Sequence, residues 1–104
     1  MNSYVRFKLG LTEHEPTIKP YDEAAWAQLR DSALIPADTS LCLIECLHLR
    51  WVCLLDGLRN SDWQRKVIHP ELGAVPLDSL LALYDWHSRH HTAHITALRQ
   101  AKNW

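Results

Sequence analysis

The residues best suited to chemistry lie in one histidine-rich segment near the end of the chain, residues 86–94 (WHSRHHTAH). The protein has 7 histidines in 104 residues, and four of them fall in this segment. Imidazole is a favoured ligand for zinc and nickel. Two histidines at i and i+4 face the same side of a helix and can coordinate one divalent ion. The segment contains two such pairs, His87 with His91 and His90 with His94.

Helical spacing distinguishes the two pairs. His87 and His91 fall in the middle of an apolar helix face, His94 lies toward its edge, and His90 lies further round. The inward position predicts a site from which water is excluded, which strengthens ligation and lets a metal lower the pKa of a bound water. A neutral core histidine with one satisfied hydrogen bond is the alternative for each residue. The apolar face comprises Leu77, Leu80, Leu81, Tyr84, Ile95 and Leu98.

A protein-bound metal usually needs a third protein ligand. No Glu or Asp shares the apolar face, so the general base of the helical metalloprotease motif is absent. His48, which lies on the other long predicted helix, is the best third candidate within the chain. His69, in a predicted turn, and His14, in a predicted loop, are weaker candidates, and all three are more often structural or surface residues.

Two long helices would position these histidines. The first spans residues 40–58, and the second runs from Leu77 to about Ala101, with Pro76 placed at its start. The first helix carries two apolar stripes on opposite sides, which predicts that it is buried on both, either because it is central or because it also meets another subunit. The three cysteines are odd in number and helically spaced, which predicts reduced core thiols rather than nucleophiles. The second stripe consists of Cys42, Cys46, Leu49 and Cys53.

The rest of the chain is divided by prolines and capping residues. Residues 3–12 fit both a strand alternation and a helical stripe, and the pattern alone weakly favours the strand. Asp22 can cap a short helix, and Ser61 or Asp62 can cap a turn around Trp63. Connections or breaks are expected at residues 13–21, 32–39, 60–62 and 69–73.

Composition argues against several classes of function. The net charge of -1 and the absence of a basic block argue against nucleic-acid binding. No apolar run reaches the length of about 18 residues that a membrane span needs, and the first residues do not form a secretory signal. The apolar share of 47% and charged share of 22% are ordinary for one globular domain over residues 1–104. A cytoplasmic protein with reduced thiols is expected.

The pattern of residues 84–95 (YDWHSRHHTAHI) resembles the last helix of the DinB-like superfamily. Within that superfamily it is most similar to the YfiT-type group of metal-dependent hydrolases, which are related to bacillithiol S-transferases. The resemblance extends through residues 69–73 (HPELG), 18–26 and 2–8, and therefore covers nearly the whole chain.

The resemblance implies an all-α four-helix bundle and a divalent metal of nickel or zinc type held by three histidines. His87 and His91 match the two ligands from the last helix. His94 falls where many relatives carry Gln, which implies a position beside the ligands rather than on the metal. The implied activity on a small-molecule substrate is hydrolysis or transfer of a thiol.

The resemblance also implies that this chain is truncated at its N-terminus. The family's third histidine lies a few residues before the position that matches Met1, and residues 2–12 would then be the tail of a helix. Three outcomes follow: His87 and His91 are a vestigial pair, His48 or a second subunit completes the site, or two copies associate to complete the bundle. A homodimer is expected in the last case, because missing helices leave apolar surface exposed. A non-catalytic helical dimerisation module is therefore the alternative to an enzyme.

Overall fold

The computed structural model describes residues 1–104, which form six helices and one β-hairpin. The predicted helical class is confirmed, with a small antiparallel sheet added to it. None of the helices combines the length and the apolar character that a membrane span requires. The elements in chain order are α1 (Asn2–Thr12), α2 (Glu23–Ala27), α3 (Arg30–Leu34), α4 (Ala37–Asp56), α5 (Asn60–Trp63), β1 (Lys66–His69), β2 (Gly73–Pro76) and α6 (Leu77–Lys102).

The first segment is helix α1, so the strand that its alternating pattern favoured is wrong and the helix implied by the family resemblance is confirmed. The helix buries Phe7 and Gly10 on one side. A Cβ added at Gly10 would lie 2.8 Å from Cδ2 of Leu77 and 3.0 Å from Cγ1 of Val67. The backbone of α1 therefore lies directly against β1 and the start of α6.

The hairpin of β1 and β2 replaces the simple break expected at residues 69–73. Its register pairs Val67 with Val75 and His69 with Gly73. Gly73 has a φ of 73°, a left-handed conformation that favours glycine. Nδ1 of His69 accepts hydrogen bonds from the backbone N–H groups of Glu71 (3.2 Å) and Leu72 (3.4 Å), which closes the turn.

The core lies where α1, the hairpin, α4 and the start of α6 meet. Arg65 ties the hairpin to the end of α1, because Nε donates to the Gly10 carbonyl and Nη2 to the Glu13 carbonyl, both at 2.8 Å. Ile18 N–H donates to the Ile68 carbonyl at 3.0 Å, so the preceding loop is attached to the outer edge of β1. The buried apolar side chains are Phe7, Ile18, Trp51, Val67, Leu77 and Leu80.

Helix α4 corrects a second expectation. It spans Ala37–Asp56, close to the predicted 40–58, but Trp51 is its only buried residue. The four residues of the second stripe are all exposed, because no element of the chain packs on that side. A central position for α4 is therefore wrong, and contact of this side with another subunit stays a prediction. The three cysteines are free thiols, but they lie on the surface rather than in a core. Helix α3 also occupies part of the expected connection at residues 32–39.

Candidate metal site

Helix α6 places His87 and His91 one turn apart, with their nitrogens converging. The two Nε2 atoms lie 2.9 Å apart, and the rings are nearly perpendicular at 81°. With metal–nitrogen bonds of about 2.1 Å, adjacent ligands lie about 3.0 Å apart at a right angle and about 3.4 Å apart in a tetrahedron. The observed separation therefore fits two ligands of one ion. In the protein alone it is an N–H···N hydrogen bond, for which only one of the two nitrogens carries the proton.

The second pair does not converge in this way. The rings of His90 and His94 lie 4.2 Å apart, but the structure records no hydrogen bond between their nitrogens. His90 stacks on Trp86 instead, at 5.0 Å and 15°. The pKa of His90 is lowered by partial loss of solvation and then by the neighbouring imidazoles of His94, His91 and His87. The geometry thus selects the same pair as helical spacing did.

The prediction that His87 and His91 are buried is wrong. All four histidines of the cluster are exposed, so His87 and His91 are not shielded from water within this chain. The cause lies in α6, of which only Leu77 and Leu80 are buried. No element packs along the second half of this helix, where Ile95 is 63% exposed.

The structure does not assemble a third ligand around the pair. It contains no group of three His, Cys, Asp or Glu side chains that could hold a metal ion. His48 stacks on Trp51 at a ring distance of 6.4 Å, and the ring of His94 lies 6.0 Å from that of His91. The ligand or neighbour roles assigned to His48 and His94 therefore stay predictions.

A cavity of about 180 Å³ adjoins the pair on the side of His87. It brings together residues from three elements, namely Arg6 of α1, His69 of β1 and three residues of α6. Sequence reasoning singled out neither Arg6 nor the neighbouring Tyr84 as a site residue. The only available signal was that both lie within segments that resemble the family. The cavity is lined by Arg6, His69, Leu83, Tyr84 and His87.

The hydroxyl of Tyr84 is buried beside this cavity. It has no hydrogen-bond partner of standard geometry. Burial raises the pKa of Tyr84, and the nearby side chains of Arg6 and Ser3 offset part of that rise. Arg6 and Tyr84 line the same cavity, but no hydrogen bond of standard geometry joins their side chains.

Similarity to known proteins extends over the whole chain. Residues 1–95 match the DinB superfamily. A Bacillus cereus (strain 03BB102) protein named "Putative metal-dependent hydrolase" is 57% identical over all 104 residues, which make up 60% of its own length. A Bacillus mycoides (strain KBAB4) protein of the same description is 55% identical over the same span.

A solved structure has the same fold. YfiT from Bacillus subtilis, described as "a probable metal-dependent hydrolase with an unusual four-helix bundle topology", superposes with a TM-score of 0.94 at 48% identity. The match covers all of this chain and 60% of that one. The chain therefore has the fold of the corresponding part of that bundle, and it spans about 60% of the length of the relatives it matches.

Proposed function

Because the chain belongs to the DinB superfamily, we propose that it supplies the metal-binding helix of a metal-dependent hydrolase. In this proposal a divalent ion of nickel or zinc type is held by His87, His91 and a third ligand. The observation that carries the proposal is the 2.9 Å separation of the two Nε2 atoms. The descriptions of its relatives as metal-dependent hydrolases support the same class of reaction.

The chain's own residues would fix the ion and leave room for a substrate. When bound, the ion would supply Lewis-acid polarisation of the substrate. His87 and His91 are held one turn apart on a continuous helix, so little reorganisation is needed to bring both nitrogens to one ion. Their exposure leaves the other side of the ion open to a third ligand and to a small-molecule substrate.

The third ligand has two proposed sources. His48 or His94 would supply it from within the chain after a side-chain movement, and a histidine of a second subunit would supply it from outside. The transfer of a thiol to an electrophile is the second activity that the family resemblance implies. Product analysis with and without an added thiol would distinguish transfer from hydrolysis.

The protein, prepared without a polyhistidine tag or nickel column, should bind about one nickel or zinc ion per chain. Elemental analysis after dialysis gives the ratio of metal to protein. Hydrolysis of a panel of esters and amides should fall when the ion is removed by chelation and return when it is restored. A folded protein that takes up no divalent metal from an equimolar solution would overturn the proposal.

The second candidate is a helical dimerisation module, and exposed apolar surface favours it. The outer stripe of α4, defined as Cys42, Cys46, Leu49 and Cys53, has no covering element, and Leu49 is 67% exposed. Contiguous apolar surface on a soluble protein is typical of an association site. We therefore propose that a second copy of this chain packs on the outer stripe.

Sedimentation equilibrium should then give about twice the chain mass of 12.1 kDa at micromolar concentration. Leu49→Glu would place a charge in the contact and should shift the population toward the monomer. Ser40→Glu adds the same charge on the opposite side of α4 and serves as the matched control. A wild-type protein that is monomeric at these concentrations would rule out the dimer.

A further inference from the structure

The polar side chains that line the cavity beside His87 are Arg6, His69, Tyr84 and His87, and none of them is a carboxylate. Its polar members come from α1, β1 and α6, so the tertiary fold assembles it rather than one helix. Its volume of about 180 Å³ is below the range of about 300–1,000 Å³ typical of sites for whole ligands. A cavity of this size accommodates one functional group of a larger molecule.

His69 contributes a donor because its other nitrogen is already occupied. Nδ1 accepts two backbone N–H groups, those of Glu71 and Leu72, and so carries no proton. The proton of the neutral ring is then on Nε2, which is the nitrogen free to meet another partner. The turn of the hairpin therefore fixes His69 as a donor.

Arg6 contributes a positive charge with no carboxylate partner. Its Nη2 donates to the carbonyl of Lys19 at 2.9 Å, and the guanidinium lies 6.0 Å from the centre of the Tyr21 ring. The only ion pairs in the structure are elsewhere, Arg59 with Asp62 and Arg89 with Asp85. A half-buried guanidinium has several rigid donors, and its unused ones suit a planar or tetrahedral oxyanion.

We propose that this cavity binds an oxyanion, either a carboxylate or a phosphate group, through Arg6 and His69. The oxygens of such a group accept hydrogen bonds, which matches the donors of Arg6 and His69. The cavity adjoins His87, so it could hold an anionic group of the substrate, and that role rests on the proposed function. Anion binding itself requires only these two side chains.

The test uses the chelator-treated chain, so that no metal contributes to anion binding. Inorganic phosphate, acetate and neutral acetamide are titrated separately, and the side-chain NMR signals of Arg6 Nε and His69 Nε2 are followed. Phosphate or acetate should shift both signals, and acetamide should not. The tighter of the two anions identifies the class of group that the site takes. Equal shifts with acetamide, or shifts confined to other residues, would overturn the proposal.

Arg6→Gln should weaken anion binding at least about 10-fold, because a charge-assisted interaction is lost. Arg30→Gln removes the same charge from an exposed position on α3 and should leave binding unchanged. Equal affinity in Arg6→Gln and wild type would contradict the assignment. If Arg6→Gln does not fold, the wild-type signals of Arg6 and His69 still decide the question. Metal uptake without anion binding overturns this inference alone, whereas anion binding without metal uptake overturns only the proposed hydrolase.

Discussion

His87→Ala and His91→Ala should each lower the affinity for nickel or zinc by at least about 100-fold. Residues that only hydrogen-bond to a metal ligand and orient it already contribute about 10- to 100-fold to metal affinity. A residue that binds the metal directly should contribute no less. Each substitution removes one of two nitrogens that converge within 2.9 Å. Competition against a chromogenic chelator measures the affinity, and circular dichroism checks that the helix content is unchanged.

The chain provides a matched control for this experiment in its second histidine pair. His90 and His94 have the same spacing on the same helix, and their rings are as close as those of the first pair. Because His94 is a proposed third ligand, His90→Ala alone is the control, and it should keep most of the affinity. A loss in His90→Ala that equals the loss in His87→Ala or His91→Ala would contradict the assignment of the pair. Single His94→Ala and His48→Ala variants then test the two proposed third ligands.

The spacing of the histidines was enough to predict the pair, because an i, i+4 relation is local. Once α6 forms, the two side chains must face the same side. The bounds of α4 and α6 were likewise close to the prediction, since each has a long apolar repeat with the period of a helix. Helix α1 was different, because its apolar residues alternate with polar or small ones as in a strand, at Val5, Phe7, Leu9 and Leu11. Only the family resemblance indicated a helix.

Burial could not be predicted from the same patterns. An apolar stripe shows which side of a helix prefers to be covered, but not whether another element covers it. Apolar side chains on the outer stripe of α4 and on the second half of α6 favour burial, but no element of this chain covers them. The hairpin was missed because its strands have only four residues each and are stabilised by pairing with each other. Arg6 gave no local signal, because its role depends on the distant residues that surround it.

Phe7→Ala should destabilise the domain by about 3–5 kcal/mol, the range observed when a buried aromatic residue is truncated. Phe7 is fully buried and makes edge contacts with Trp51 at 5.7 Å and Trp63 at 6.2 Å. It therefore joins α1 to both α4 and α5. The buried apolar core has only six residues, so few other contacts remain to hold these helices together. Small domains have about 5–15 kcal/mol of stability in total, and this loss is a large part of it.

Urea unfolding followed by circular dichroism at constant pH would measure the change, and tryptophan fluorescence would report on the contacts with Trp51 and Trp63. A loss of this size should lower the melting temperature by at least about 12 °C for a domain near 100 residues. Val5→Ala removes apolar carbons from the exposed side of the same helix and should have a much smaller effect. If the two variants unfold at the same urea concentration, α1 does not anchor the core. The hairpin and the two long helices would then have to hold the fold without it.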